Sequence, residues 1–121
     1  MSQVLRVAPA ALALLLAGAV SVQAQGQTFK GHLVDTVCAN NHATEHGYAE
    51  KHENSCNKMD VCVKSGYSLM TADHKVLTLD AKGAEQALAL VKKTEKKTDL
   101  KATVVGTLDG TTLTVASIAL D

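Results

Sequence analysis

The chain has 121 residues, with 12 basic side chains balanced by 12 acidic ones, five histidines, three cysteines and no tryptophan. Charge balance leaves no electrostatic footprint for nucleic acid or anionic lipid, and the only aromatic residues, Phe29, Tyr48 and Tyr67, are too few to form a platform for stacked bases. Nucleic-acid recognition is therefore excluded as a reading of the sequence.

Met1 to Ala24 carries one positive charge (Arg6), an apolar run around Leu12 to Ala19 and a small-x-small site at Val22-Gln23-Ala24, the layout of a secretory signal peptide. The apolar run is shorter than the roughly 18 to 20 residues a membrane span needs. No cysteine follows it, which argues against a lipid anchor. The expectation is a signal peptide over residues 1–24 and a secreted or periplasmic domain over 25–121, free of the membrane after cleavage. The remainder suffices for one small domain.

Thr28 to Val37 alternates apolar and polar residues and predicts a first strand. Cys38 to Lys58 is almost devoid of apolar residues and too long for an ordinary loop. From Cys62 to Met70 and from Lys75 to Leu79 the strand pattern returns, with a hairpin connection at Thr71 to His74. Ala81 to Lys93 places Ala84, Leu88 and Val91 on one face, beside Ala87 and Leu90, and predicts a helix whose C-terminal lysines suit its dipole. Leu100 to Leu108 and Thr111 to Leu120 read as two final strands joined by an Asp109-Gly110 turn. Five strands with a helix between the third and fourth, and a Cys/His-rich insertion between the first and second, predict a mainly β, five-stranded OB-like Greek-key barrel. A small α+β sheet with the helix on one face is the rival arrangement.

The chemistry concentrates between Cys38 and Cys62, which hold all three cysteines and three of the five histidines. Cys38, His42 and His46 are spaced i, i+4, i+8, and His52 and Cys56 i, i+4, so a helical segment lines up each set on one face. Cys38, His42, Cys56 and Cys62 form a candidate tetrahedral Cys3His site suited to Zn²⁺, and Met59 or His52 as an added ligand shifts the preference towards copper. Asp35 either orients His42 or ends the strand and caps the segment. The alternative is a disulfide, because exported cysteines pair in oxidising compartments, which leaves one thiol over.

The pattern GHLVDTVCANNH, then SC…CVKSGYSLM, HKVLTLD and TVVGTLDGTTLTVASI, resembles a group of small exported bacterial proteins of uncharacterised function. The resemblance runs from about Gly31 to Ile118. It implies an OB-like barrel and a Cys/His cluster, with Asp35, Cys38, His42, Cys56 and Cys62 at the recurring polar positions and Gly66 after the last cysteine. This chain departs from the group's pattern in having five residues between Cys56 and Cys62 in place of three.

No C-x-x-C redox motif or C-x-x-C-H haem site is present, and a Cys38–His42 pair lacks a recognisable third group to orient it. The expectation is a non-enzymatic domain with a zinc or copper ion as its sole cofactor. The alternative is a disulfide-stapled module that binds a protein or small molecule. The sequence leaves the partner and the oligomeric state open.

Overall fold

The structure, a computed structural model, describes residues 26–121; the expected signal peptide lies outside the described residues. Five strands form one closed barrel: β1 (Gln27–Asp35), β2 (Tyr67–Met70), β3 (Val76–Leu79), β4 (Lys101–Asp109) and β5 (Thr112–Leu120). Their order around the barrel is β1-β2-β3-β5-β4, and β4 returns to β1. All neighbours are antiparallel except β3 and β5, whose short parallel pairing joins Thr78 to Thr112 and Leu79 to Leu113.

Period-two alternation sends one face of each strand inward. Leu33, Leu69, Leu77, Leu79, Ala102, Val104, Leu113 and Val115 are buried together in the barrel core, and Tyr67 joins them. A bulge between Val105 and Gly106 bends β4. Here the strands come so close that a side chain on Gly106 would collide with the Thr114 carbonyl.

Helix α5 (Ala81–Lys93) connects β3 to β4. Asp80 caps its start by accepting from the Gly83 N–H at 3.0 Å, and the same carboxylate accepts from the Val115 N–H at 3.2 Å, tying the cap to β5. Ala87 and Val91 are fully buried in the core, with Ala84 and Leu88 packed at its margin.

Between β1 and β2 the chain forms four short helices: α1 (Thr36–Asn41), α2 (Tyr48–Lys51), α3 (Asn54–Asn57) and α4 (Asp60–Ser65). Val34 faces away from the barrel core and, with Met70 and Ala39, forms a second small cluster against which Cys38, Tyr48, Ala49 and Val76 pack. This cluster seats the helical segment on the outer face of the barrel.

Two strand boundaries differ from expectation. Thr36 and Val37 belong to α1, not β1, because Asp35 caps a helix there: its Oδ2 accepts from the Cys38 N–H at 3.0 Å. Cys62 to Ser65, expected to open β2, is the last turn of α4. Gly66 separates the two elements with φ 80° and ψ −168°, a conformation only glycine adopts without strain. The apolar alternation of Cys62-Val63 was therefore a helix end, not a strand start.

Candidate metal centre

Asp35, Cys38 and Cys62 place one carboxylate oxygen and two sulfurs all within 4.8 Å of one another. Each is delivered by a helix terminus. Asp35 is the last residue of β1 and the cap of α1, Cys38 lies in the first turn of α1, and Cys62 lies in α4, which Gly66 turns back into β2. Asp35 is completely buried, Cys62 is 4% exposed and Cys38 is partly buried. All three cysteines are free thiols.

Asparagines hold this arrangement in place. The Asn57 side chain, fully buried, accepts from the Asp35 N–H at 2.9 Å and donates to Asn54 Oδ1 at 3.2 Å. Asn54 donates in turn to the Val91 carbonyl of α5 at 2.9 Å. The Tyr67 hydroxyl, inside the barrel, donates to the Asn57 carbonyl at 2.5 Å. The site is thereby fastened to β1, β2 and α5.

His52 completes the surroundings. Its Nε2 lies 3.1 Å from Asp35 Oδ1, and both side chains are almost wholly out of solvent. The approach is close but poorly directed, so Asp35 Oδ1 and both imidazole nitrogens lack a well-formed hydrogen bond. Buried polar atoms in that state cost about 1–3 kcal/mol each. This is the feature of the site that most calls for a further bonding partner.

The electrostatics share one direction. Burial, and then the field of Asp35, pushes the Cys62 thiol up to about 12. Burial followed by its contact with Asp35 raises Cys38, and burial together with Cys38 raises Tyr48. Burial lowers His52, against the pull of Asp35, and so keeps the imidazole neutral at physiological pH. The only charged-pair contact of Asp35 among the described residues is this histidine. The protein groups around the carboxylate thus supply no permanent positive charge, and a bound cation would both neutralise it and favour the thiolates.

Of the four expected ligands, the structure brings together Cys38 and Cys62 but places His42 and Cys56 outside the cluster. His42 caps the end of α1. Its ring stacks on Tyr48 with centroids 4.0 Å apart, and Nδ1 pairs with Glu45 at 2.6 Å on the surface. The i, i+4 alignment from Cys38 to His46 fails because α1 ends after six residues. His52 follows the end of α2 in a non-helical conformation and Cys56 lies in α3, so their spacing carries no shared face. Asp35 and His52 are the participants left out of the four preferred ligands. Asp35, three residues before Cys38 and read from the sequence as either orienting His42 or capping the segment, takes the capping role; His52, read from the sequence as an added ligand beside the preferred four, lies against Asp35.

Fold and site together define a small closed β-barrel with a Cys2Asp cluster at the root of a helical segment. No protein family, no curated protein and no solved structure matches the chain. Among the described residues, no helix is long and apolar enough to cross a membrane.

Proposed function

We propose that this chain is an exported, non-enzymatic OB-type barrel, of the kind its resemblance to small exported bacterial proteins implies, that binds one Zn²⁺ through Cys38, Cys62 and Asp35. The ion staples the helical segment to a barrel too small to hold it strongly by apolar contact alone. The carrying observation is the convergence of two thiols and a buried carboxylate within 4.8 Å. Two sulfurs with a carboxylate oxygen suit a borderline cation, and His52, already against Asp35, is the neighbouring nitrogen donor. An all-sulfur set would favour Cu(I), and the oxygen is what tips the choice to zinc. Binding displaces the thiol protons, so affinity rises with pH.

The test is native mass spectrometry with elemental analysis on protein purified from the exported compartment, followed by thiol trapping after denaturation. One zinc per chain, lost in Cys38→Ser and Asp35→Asn, supports the reading. Absence of metal with three trapped thiols overturns it. A second reading is favoured by the approach of Cys38 and Cys62 themselves, since sulfurs this close can be joined by a modest shift in an oxidising compartment. That reading predicts a mass lower by two hydrogens and a single trapped thiol, on Cys56.

A further inference from the structure

Two histidines that the thiol cluster does not use join the helical segment to the β2–β3 hairpin. His46 lies in the turn between α1 and α2, and His74 lies in the turn between β2 and β3. Both residues are exposed, yet their rings meet edge to face, with centroids 4.6 Å apart and an interplanar angle of 86°. Burial does not explain the contact. Among the described residues neither ring makes a hydrogen bond or an ion pair, unlike those of His32 and His42. His74 also holds its place against a backbone preference. Its φ is 61°, in the left-handed region where glycine is at ease and most side chains are not. The turn is fixed by the Thr71 N–H donating to the Lys75 carbonyl at 2.9 Å and the His74 N–H donating to the Thr71 carbonyl at 3.1 Å.

Charge does not select a ligand here. Asp73 pairs with Lys75 at 3.5 Å and Glu45 with His42, and the cleft beside His74 carries both signs, with Lys30 and Lys101 against Glu50 and Asp121. The imidazoles are the distinctive groups, and the separation of their centres is what a shared ion requires. A metal about 2.0–2.1 Å from each ligating nitrogen lies about 3.2 Å from each ring centre, which sets the centres about 4.5 Å apart at a right angle and about 5.2 Å apart at the tetrahedral angle. The observed 4.6 Å matches the right-angled case. Rotation about χ2, a soft torsion in histidine, turns the nitrogens towards a common point and leaves the ring centre in place, because the centre lies close to the Cβ–Cγ axis.

We infer that His46 and His74 form a surface chelate for one divalent ion of the Cu²⁺ and Ni²⁺ class, with water in the remaining positions. These ions take imidazole nitrogen and prefer right-angled sets of nitrogen and oxygen, whereas Zn²⁺ prefers the wider tetrahedral angle. No third His, Cys, Asp or Glu among the described residues is close enough to join the pair. The site is separate from the Asp35, Cys38 and Cys62 cluster and does not rest on it. A bound ion ties the helical segment to the β2–β3 hairpin.

The experiment is an NMR titration of the isotopically labelled protein with NiCl₂ at about pH 8, above the ordinary imidazole range. Ni²⁺ is paramagnetic and does not oxidise thiols, so each amide reports its own distance from the ion and the cysteines are not consumed. The expected result is saturable broadening centred on His46, Gly47, Asp73, His74 and Lys75, with a Kd of about 0.1 mM or tighter. His46→Gln and His74→Gly should each weaken binding about 100-fold, since one imidazole lacks the gain from chelation. Glycine suits a φ of 61°, so His74→Gly keeps the turn. His42→Gln should leave the affinity unchanged. Occupation of the buried cluster is read separately, at Cys38 and Cys62. Broadening confined to those two residues and their neighbours, or absent up to about 5 mM Ni²⁺, overturns the inference. Unchanged affinity in either the His46 or the His74 variant also overturns it. Equal loss in His42→Gln overturns it in favour of a chelate between His42 and His46, four residues apart on the helical segment.

Discussion

The barrel and the helical segment solve the problem of folding in opposite ways. The barrel buries a continuous set of leucines and valines drawn from all five strands, and its hydrogen bonds close on themselves. The helical segment spends thirty residues on four helices of four to six residues each, lengths that are unstable alone. Its buried contacts are Ala39, Cys62, His52, Asn54 and Asn57, mostly polar. An apolar core tolerates no specific partner list, whereas a polar anchor depends on each named bond. The segment is therefore the part of the molecule whose order a ligand can control, and two of the three candidate metal ligands, Cys38 and Cys62, sit in it.

The largest expected effect comes from breaking the barrel. Leu69, fully buried, should cost about 3 kcal/mol as Leu69→Ala and lower the melting of the whole chain, helical segment included. Asn57→Ala removes the acceptor for Asp35 and the donor to Asn54, and should cost about 2 kcal/mol. Hydrogen exchange separates the two. In Asn57→Ala, amides from α1 to α4 should lose protection while β1, β4 and β5 keep theirs. Uniform loss in both variants would show that the two regions fold as one unit.

A smaller effect follows from protonation, measured as urea midpoints across pH with chelator present. Cys62 in the folded chain titrates near 12, against an ordinary value of 9.0. Below pH 9 neither state is ionised and the thiol adds no pH dependence. Between pH 9 and 12 the unfolded chain releases the proton and the folded chain keeps it, so stability falls as pH rises. His52 has the reverse arrangement at the acid end. Its folded value lies below 6.5, so the unfolded chain takes up the proton first, and stability falls as pH drops below that value. Cys62→Ala should flatten the alkaline arm and His52→Gln the acid arm. If neither slope changes, these groups are not as buried as the structure has them.

The smallest expected effect is at His42. Its bond to Glu45 is a surface pair, so His42→Ala should change stability by about 0.5 kcal/mol or less and leave metal content unchanged. Loss of metal in this variant would restore the Cys–His pairing expected from spacing and displace Asp35 as ligand.

Local pattern carries far in the barrel and stops early in the helical segment. Alternation marks Val76–Leu79, Lys101–Asp109 and Thr112–Leu120, and a 3.6-residue period marks Ala81–Lys93, because each of these elements buries one face and the sequence must show it. Thr36 to Ser65 buries little apolar surface, so no period is imposed and the helix ends were not readable. Asn54 and Asn57, which anchor the segment, have the same appearance in the sequence as solvated asparagines.

The sequence by itself determined that five strands and the amphipathic helix over 81–93 are among the domain's elements, and that all three cysteines lie from Cys38 to Cys62. Hydrophobic periodicity and side-chain type are local properties and suffice for both. Only the tertiary structure decided which groups meet. Asp35 and Cys62 are joined by the path of four short helices and by the β1–β2 pairing that sets Asp35 beside Tyr67. Convergence at this distance along the chain depends on where helices end and which strand receives the chain, and a ligand list read from spacing alone contains neither.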